Sequence, residues 1–506
     1  MKYFFLILFL VTYISFAQQV QKPKSEMRGV WIATVVNIDW PKKPEDNFAK
    51  KKADFLTILE TYKKMNFNAV IVQIRTCGDA FYQTEMAPTS KYLTGKEGQA
   101  VENNFDFMKW MIDESHKRGF EFHAWMNPYR ATFDLNTEIL SPTNKYFTQP
   151  DWMIKYGTKY YYNPGLLDVQ THLTDVVKEV VQKYDIDAIH FDDYFYPYKI
   201  ANEVFDDKKA FESNNSKNLN IDDWRRSNVD SLMKKIHFAI EKIKPNVQFG
   251  ISPFGVWRNN SVDPRGSDSQ AGQTNYDDLY ADPMVWMQNK WIDYLVPQLY
   301  WNLEHKKASH RKLMAWWNEN TQNANLYIGN GTYKIKNDKD KAWTNKNEIP
   351  NQIDLARNTK NVKGNIYFSA ESLVNKHKDV VKLMTKKYEE VALPPTVERI
   401  LPINAETPKI ISILKEKNKI IFDNKYQFST PFEFVLLYGI DENNQSILIK
   451  KMPISKYNSD EKFSVYEEDF KNYKSFSITT YNQFQKESLP FKFSIDTKNT
   501  TLIPIN

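Results

Sequence analysis

From Met27 to about Leu393, two hydrophobic periods alternate along the chain. Short apolar runs read as strands at 29–35 (GVWIATV), 69–75 (AVIVQIR), 121–127 (EFHAWMN), 187–192 (DAIHFD), 248–254 (QFGISPF), 294–301 (YLVPQLYW), 325–330 (NLYIGN) and 365–371 (NIYFSAE). Between them lie FLTILETYKKM (55–65), FMKWMIDESHKRG (107–119), HLTDVVKEVVQKY (172–184) and VDSLMKKIHFAIEKIK (229–244). Their apolar residues recur three and four apart, the spacing of one helix face, and the second ends on Gly119, a C-cap residue. Strand followed by helix, about eight times over, predicts an α/β fold: a (β/α)8 TIM barrel over residues 26–393. After LPPTVERILP (393–402) the helical period disappears and short alternating runs follow. Prolines 394, 395 and 402 mark the join to a small C-terminal antiparallel β-sandwich-like domain at 397–506.

Successive strand residues point to opposite faces. In a barrel one face meets the helices, while the other lines the interior and rises to the mouth. Strand 69–75 sets Val70, Val72 and Ile74 against Ile71, Gln73 and Arg75. Strand 121–127 sets Phe122, Ala124 and Met126 against Glu121, His123, Trp125 and Asn127. In 187–192, Ile189 and Phe191 oppose His190 and Asp192. In 294–301, Leu295, Pro297 and Leu299 oppose Val296, Gln298 and Tyr300; in 365–371, Ile366, Phe368 and Ala370 oppose Tyr367, Ser369 and Glu371. The polar members share one parity at the C-terminal ends, where burial costs free energy unless something uses them. The expected mouth therefore carries Arg75, His123, Asn127, His190, Asp192, Gln298, Tyr300 and Glu371. Asp193 falls in the turn that follows, and Tyr194, Phe195, Tyr196 and Tyr198 are laid beside it.

Composition narrows the function classes. With 506 residues, 42% of them hydrophobic, the chain has material for more than one core and is not disordered. The net charge of +6 is spread among interleaved acids and bases, with no basic stripe, so no nucleic-acid partner is expected. Residues 1–17 carry Lys2, an apolar run and a small-residue site at Ser15-Phe16-Ala17, which reads as a cleaved signal peptide. The run is short for a membrane span, and no cysteine follows the cleavage site to carry a lipid. A periplasmic or secreted protein without an integral membrane segment is expected. Cys77 is the single cysteine, so no intrachain disulfide forms, and a buried thiol is the favoured reading over a nucleophile.

Aromatic faces stack on the C–H faces of sugars while amides, Arg and His bond the hydroxyls. Trp40, Trp125, Tyr129, Tyr194, Tyr196, Trp257 and Trp301 all lie near expected strand ends. Paired carboxylates in such a cleft suit glycoside hydrolysis, one giving a proton to the leaving oxygen and the other attacking C1 or activating water. The candidate acids are Asp192, Asp193 and Glu371, with Asp79 in RTCGDAFY as a further contact. His123 and His190 with an acid could hold a metal, but no HxH or HExxH spacing supports it; no metal or other cofactor is expected. The stretch GVWRNNSVDPRGSD (255–268) reads as a long mouth loop offering Arg258 and Asp263.

Several long motifs, in order, resemble the bacterial glycosyl hydrolase-like ten family: MRGVWIATVVNIDWP (27–41), HAWMNPYR (123–130), HFDDYFYP (190–197), WRRSNVDSL (224–232), FGISPFGVWRN (249–259), YADPMVWMQNKWIDYLVPQLYW (280–301) and LYIGNGTYK (326–334). The resemblance spans about residues 26 to 385. It implies a (β/α)8 glycosidase acting on a polysaccharide, with cell-wall glycan as one target, and places family acids and polar residues on Asp192, Asp193, Asn127, Arg130, Gln298 and Tyr300. The expected protein is thus a secreted glycoside hydrolase. Asp192, Asp193 and Glu371 would be catalytic. Arg75, Asp79, His123, Trp125, Asn127, Tyr129, Arg130, His190, Tyr194, Trp257, Arg258, Gln298, Tyr300 and Trp301 would hold a polysaccharide or oligosaccharide. The alternatives are a non-catalytic carbohydrate-binding protein on the same scaffold and, further off, a metal-dependent hydrolase or deacetylase.

Overall fold

The computed structural model describes residues 23–408 without a break and, beyond them, 410–417, 419–424, 432–454, 463–466, 468, 473–496 and 501–505. The segment read as a signal peptide lies outside the described residues. Eight parallel strands close into a barrel: β1 (Met27–Ile32), β2 (Ala69–Arg75), β3 (Glu121–Met126), β4 (Ala188–Phe191), β5 (Gln248–Ile251), β6 (Tyr294–Leu295), β7 (Asn325–Asn330) and β8 (Val362–Tyr367). Each pairs with its neighbours in sequence, and β8 closes on β1 with Gly29 opposite Ile366 and Val30 opposite Tyr367. Around them run α1 (Phe48–Lys64), α2 (Phe107–His116), α3 (Leu167–Lys183), α4 (Ile221–Ile243), α5 (Pro283–Gln288), α6 (His310–Asn320), α7 (Glu348–Arg357) and α8 (Lys378–Lys387). Short polar side chains start them: Asn47, Asp106, Asn220 and Ser309 each accept from a backbone N–H three residues on, satisfying a donor that the first turn leaves free.

The two strand faces bury two different cores. Val70, Val72 and Ile74 of β2, Phe122 and Ala124 of β3, and Ile189 and Phe191 of β4 pack outward against the helices. Trp31, Ile71, Trp125, Ala188, Tyr294, Val296, Tyr327 and Ile366 fill the lumen. The alternation expected on β2, β3 and β4 therefore holds through Gln73, and the lumen is a packed core rather than a pore. Gly250 marks its tightest point: a Cβ there would stand 1.9 Å from the Tyr294 ring.

Strand lengths depart from expectation where proline intervenes. The runs at 248–254 and 294–301 ladder only over Gln248–Ile251 and Tyr294–Leu295, because Pro253 and Pro297 have no N–H to donate. Beyond them single bridges, Phe254 to Gln298 and Gln298 to Gly329, keep the two chains adjacent. This carries Gln298 to the mouth on a segment that is not regular strand.

After the barrel come two antiparallel sheets. One orders Ile410–Glu416, Lys419–Asn424 and Phe463–Tyr466; the other orders Ser446–Pro453, Phe432–Ile440, Ser475–Asn482, Phe491–Asp496 and Thr501–Pro504. Ile420, Phe422 and Val465 of the first meet Val435, Leu437, Ile478 and Phe493 of the second, a face-to-face sandwich core. The opposite row of the central strand, Phe434, Leu436 and Tyr438, packs with Leu393. Lys451 Nζ donates to Gly119 O at 2.6 Å, and Arg399 forks onto the Asp293 carboxylate at 2.8 Å. Gly119 and Asp293 precede β3 and β6, so the sheets rest on the N-terminal floor of the barrel, opposite the mouth.

Gly250→Ala is expected to cost about 3 kcal/mol or more, since the tyrosine ring it meets is locked in a filled lumen. Urea unfolding compared with wild type checks this.

Candidate active site

At the carboxyl ends of the strands lies a cavity of about 170 Å³. Its base is aromatic: Trp31 after the mid-point of β1, Trp125 near the end of β3, and Phe368 just past β8. Trp31 and Phe368 meet edge-on at 6.4 Å, and Tyr300 stacks on Phe368 at 5.9 Å. Polar groups stand on the walls. Trp125 Nε1 donates to Asn127 Oδ1 at 3.2 Å, and Asn127 Nδ2 donates to Thr76 O at 3.2 Å, which fixes the asparagine. Gln73 Oε1 accepts from the backbone N–H groups of Thr34 (3.1 Å) and Val35 (2.9 Å). The Arg130 guanidinium lies 4.2 Å from the centre of the Tyr194 ring, a cation–π contact inside a largely dry wall.

Asp192 is the carboxyl that faces this cavity; 8% of it is exposed. Its Oδ1 accepts from the Asp193 N–H at 2.8 Å and from Gln298 Nε2 at 2.9 Å. Gln298 gives its second amide hydrogen to Ser252 O at 2.9 Å, so both of its donors are committed. Asp193 sits behind, 1% exposed, and accepts a short hydrogen bond from the Tyr198 hydroxyl. The two carboxyls are neighbours, and the charge of Asp192 acts on Asp193. Burial raises both. For Asp192 the rise is opposed by the hydrogen bonds from Asp193, by Arg130 and by Gln298. For Asp193 the charge of Asp192 adds to burial, and the group is held well above the usual carboxylate range.

Seven of the expected site residues line the cavity: Trp125, Asn127, Arg130, Asp192, Tyr194, Gln298 and Tyr300. Others do not, and each correction has a local cause. Glu371 was expected inward, but Ile366 and Phe368 take that face; Tyr367 points out to bond Tyr388 at 2.6 Å, and Glu371 follows in a 3-10 turn. There it pairs with Lys42 and Lys376, which hold its carboxyl below the usual range against a smaller effect of burial than the dyad feels. Arg75 leaves the inward face because the β2–β3 register slips between Gln73 and Arg75; its Nη1 donates to Asp79 O at 3.2 Å among Tyr82, Tyr162 and His172. The Asp79 carboxylate is spent on Thr76 and Cys77 N–H groups within its own turn. Burial raises the Cys77 thiol well above its usual range, as suits a packed rather than reactive sulfur.

His123 and His190 do point inward but lie in the lumen below Trp31, with no exposed surface. Tyr129, Trp40 and Tyr196 are buried in the layer between barrel and helices. Trp257 stacks on Trp316 at 5.8 Å and donates to Asp282; Arg258 is paired with Asp263 and Asp277. Trp301 packs edge-on against Phe254 and is not part of the cavity wall. Missed were Trp31, Gln73, Ser252 and Phe368, with Ala33, Val35 and Ile38. The signal for Trp31 and Ser252 was present, since each is the inward residue two beyond a lumen glycine, Gly29 and Gly250. Among the described residues no three His, Cys, Asp or Glu side chains group as metal ligands, and no helix is long and apolar enough to cross a membrane.

An eight-stranded parallel barrel with an acidic pair at the end of its fourth strand, over an aromatic base, has the architecture of a glycosidase-type (β/α)8 protein. The chain belongs to the glycosyl hydrolase-like 10 family, whose model matches residues 26–345. It is 44% identical over 401 residues to the glycosyl hydrolase YngK of Bacillus subtilis (strain 168), covering 78% of each chain. It is 33% identical over 376 residues to the glycosyl hydrolase DigH of Escherichia coli (strain K12), covering 70% of this chain and 85% of that one. Among solved structures, the glycoside hydrolase domain of PgaB (BpsB) from Bordetella bronchiseptica is similar over 72% of this chain and 98% of that one, with 10% identity and a TM-score of 0.46.

The ionisation of the pair should be visible in stability. A carboxyl whose folded pKa is raised binds its proton more tightly when folded, so its stabilising effect is present at low pH and lost as pH rises through the folded value. Asp193→Asn keeps the shape and the acceptor for Tyr198 and removes that loss. The variant is expected to melt above wild type at pH 7–8, with the difference closing by about pH 4, where both carboxyls are protonated. Calorimetry across that range checks the sign.

Proposed function

We propose that the chain is an exported glycoside hydrolase that cuts a polysaccharide built from 2-acetamido sugars, with the Asp192–Asp193 pair as its proton donor. One observation carries the reading: Asp193 follows Asp192 directly and its N–H bonds Asp192 Oδ1 at 2.8 Å, and Asp192 is the one carboxyl among the described residues that line the cavity. Two carboxyls that work on opposite sides of a glycosidic bond stand about 5 Å apart in retaining enzymes and roughly 6.5–9.5 Å apart in inverting ones. Among the described residues no second carboxyl lines the cavity opposite Asp192, so the adjacent pair acts as one acid–base unit. Burial holds the phenols of Tyr194 and Tyr300 above their usual range, which makes them poor nucleophiles at neutral pH. The group that meets C1 then comes from the sugar.

In that scheme the carbonyl oxygen of the 2-acetamido group bonds to C1 as the C1–O bond breaks. Asp192 gives the proton of the pair to the leaving oxygen, and the amide N–H returns one to the pair. Water then adds its oxygen at C1 as the bond from C1 to the acetamido oxygen breaks; the pair takes one water proton and returns one to the amide nitrogen. Trp31 and Trp125 suit the apolar faces of the sugar, while Asn127, Arg130 and Tyr300 suit its hydroxyls and amide. A cell-wall glycan has this chemistry. The signal-like leader supports export. The same isolated pair favours a second reading, a carbohydrate-binding protein without turnover, when the bound sugar lacks such a group.

Release of reducing ends from a panel of glycans, with and without 2-acetamido groups, tests the proposal. Products are expected from the acetamido glycans only, and Asp192→Asn is expected to lower kcat by about 10³-fold or more while melting no lower than wild type. Glu371→Gln should keep turnover within a few-fold. Equal cleavage of plain glucans would remove the sugar-assisted step, and tight oligosaccharide binding without products would favour the binder.

A further inference from the structure

We propose that a hydrogen-bonded chain through the barrel lumen, running from Glu121 at the floor to Asp192 at the mouth, positions the catalytic carboxyl. Glu121, His123, Tyr294 and His190 are its positioning residues. The proposal rests on the reading of Asp192 just given. The links are short and continuous. His123 Nε2 meets Glu121 Oε2 at 3.0 Å, and His123 Nδ1 meets the Tyr294 hydroxyl at 2.9 Å. The same hydroxyl meets His190 Nδ1 at 3.0 Å, and His190 Nε2 meets Ser252 Oγ at 2.9 Å. Ser252 then accepts on its carbonyl from Gln298 Nε2 at 2.9 Å, and Gln298 donates to Asp192 Oδ1 at 2.9 Å.

The upper end of the lumen part sets the direction of its bonds. Trp31 Nε1 donates to His190 Nε2 at 3.2 Å, and an indole nitrogen can only donate. His190 Nε2 is therefore bare, and its proton sits on Nδ1, aimed at the Tyr294 oxygen. The tyrosine must then donate to His123 Nδ1, and His123 donates from Nε2 to the Glu121 carboxyl. The one lone pair of His190 Nε2 is shared between the Trp31 indole and the Ser252 hydroxyl, which also reaches Phe191 O at 3.3 Å. His123, His190 and Tyr294 have no exposed surface, and Glu121 has 7%, so water does not compete for the bonds. Burial holds His190 well below its usual range, in keeping with a neutral ring.

Ser252 is where this chain reaches the site. Its hydroxyl is held by His190 and its carbonyl orients the Gln298 amide, so the lumen sets the donor that meets Asp192. The other groups facing that carboxyl are Asp193 and Tyr194 on its own loop, Arg130 beyond β3 and Tyr300 beyond β6. At the floor, Glu121 is faced by Tyr294, Tyr327 and, further off, Asp293; His123 is faced by Asp187.

The test has two arms. In wild-type protein labelled with 15N-histidine, with His190 assigned by its replacement, the ring is expected to be Nδ1-protonated with a bare Nε2 from about pH 5 to 8. An Nε2-protonated or cationic ring would overturn the chain, whatever the enzyme does with glycans. In the kinetic arm, Tyr294→Phe severs the middle link and Glu121→Gln replaces the acid at the end, in case the first variant folds poorly. Losing the oriented Gln298 donor should move the ionisation that the pH profile assigns to the pair upward by about half a unit. It should lower kcat about tenfold and leave KM within about twofold, with Glu121→Gln smaller in the same direction. Folded variants whose pH profile matches wild type would show that the chain only packs the lumen, and would overturn the proposal. If wild type cuts no glycan, the hydrolase reading fails while the ring-proton measurement still decides the chain.

Discussion

Closure of the sheet between its first and last strands is the constraint on which everything else depends. Gly29 opposite Ile366 and Val30 opposite Tyr367 remove the last free edge, and from then on alternate side chains of eight strands must share one narrow lumen. The space is filled by Trp31, Trp125, Tyr294 and Tyr327 wherever a neighbouring strand yields it, as Gly250 does to Tyr294. Because the lumen is packed, whatever stands on top of it is held rigidly. Asp192 takes its place from that packing, two residues above His190 and bonded across to Gln298.

The site spends stability that the barrel supplies. Two carboxyls in contact, both out of water, repel when both are ionised, and each pays for burial. Partial relief comes from Tyr198 on one side and from Gln298 and the Asp193 N–H on the other. Arg130 lies near enough to temper the charge, while its guanidinium stays over Tyr194 and makes no ion pair with the dyad. Burial and the neighbouring charge thus favour the protonated form of Asp193 more than an isolated aspartate would. This is the property that acid catalysis requires.

Much of this was legible in the amino-acid sequence, for a definite reason. The barrel could be read because strand and helix periods alternate over long, clean segments, and Asp192, Gln298 and Tyr300 could be read because parity carries through proline-broken strands. Parity failed at two points. The slip at Arg75 comes from one extra residue in β2 relative to β3, which no pattern of apolar residues reveals. At 365–371 the polar residues looked like lining, yet the large apolar ones, Ile366 and Phe368, were needed to fill the lumen and base the cavity. Histidine posed a different difficulty. Inward parity was right for His123 and His190, but depth along a strand is not encoded in alternation, so partners within the lumen could not be told from contacts at the mouth.

The placement of the two C-terminal sheets has a further consequence. Their outward row of Phe434, Leu436 and Tyr438 is spent on Leu393, and Lys451 and Arg399 tie the same region to Gly119 and Asp293 beneath the strands. Neither half keeps a complete wettable exterior of its own. The pair is therefore poorly suited to modular exchange. Swapping the tail for an unrelated appendage would bare an oily underside and strand a carboxylate there, so inheritance of the barrel's foundation and of its tail should be linked.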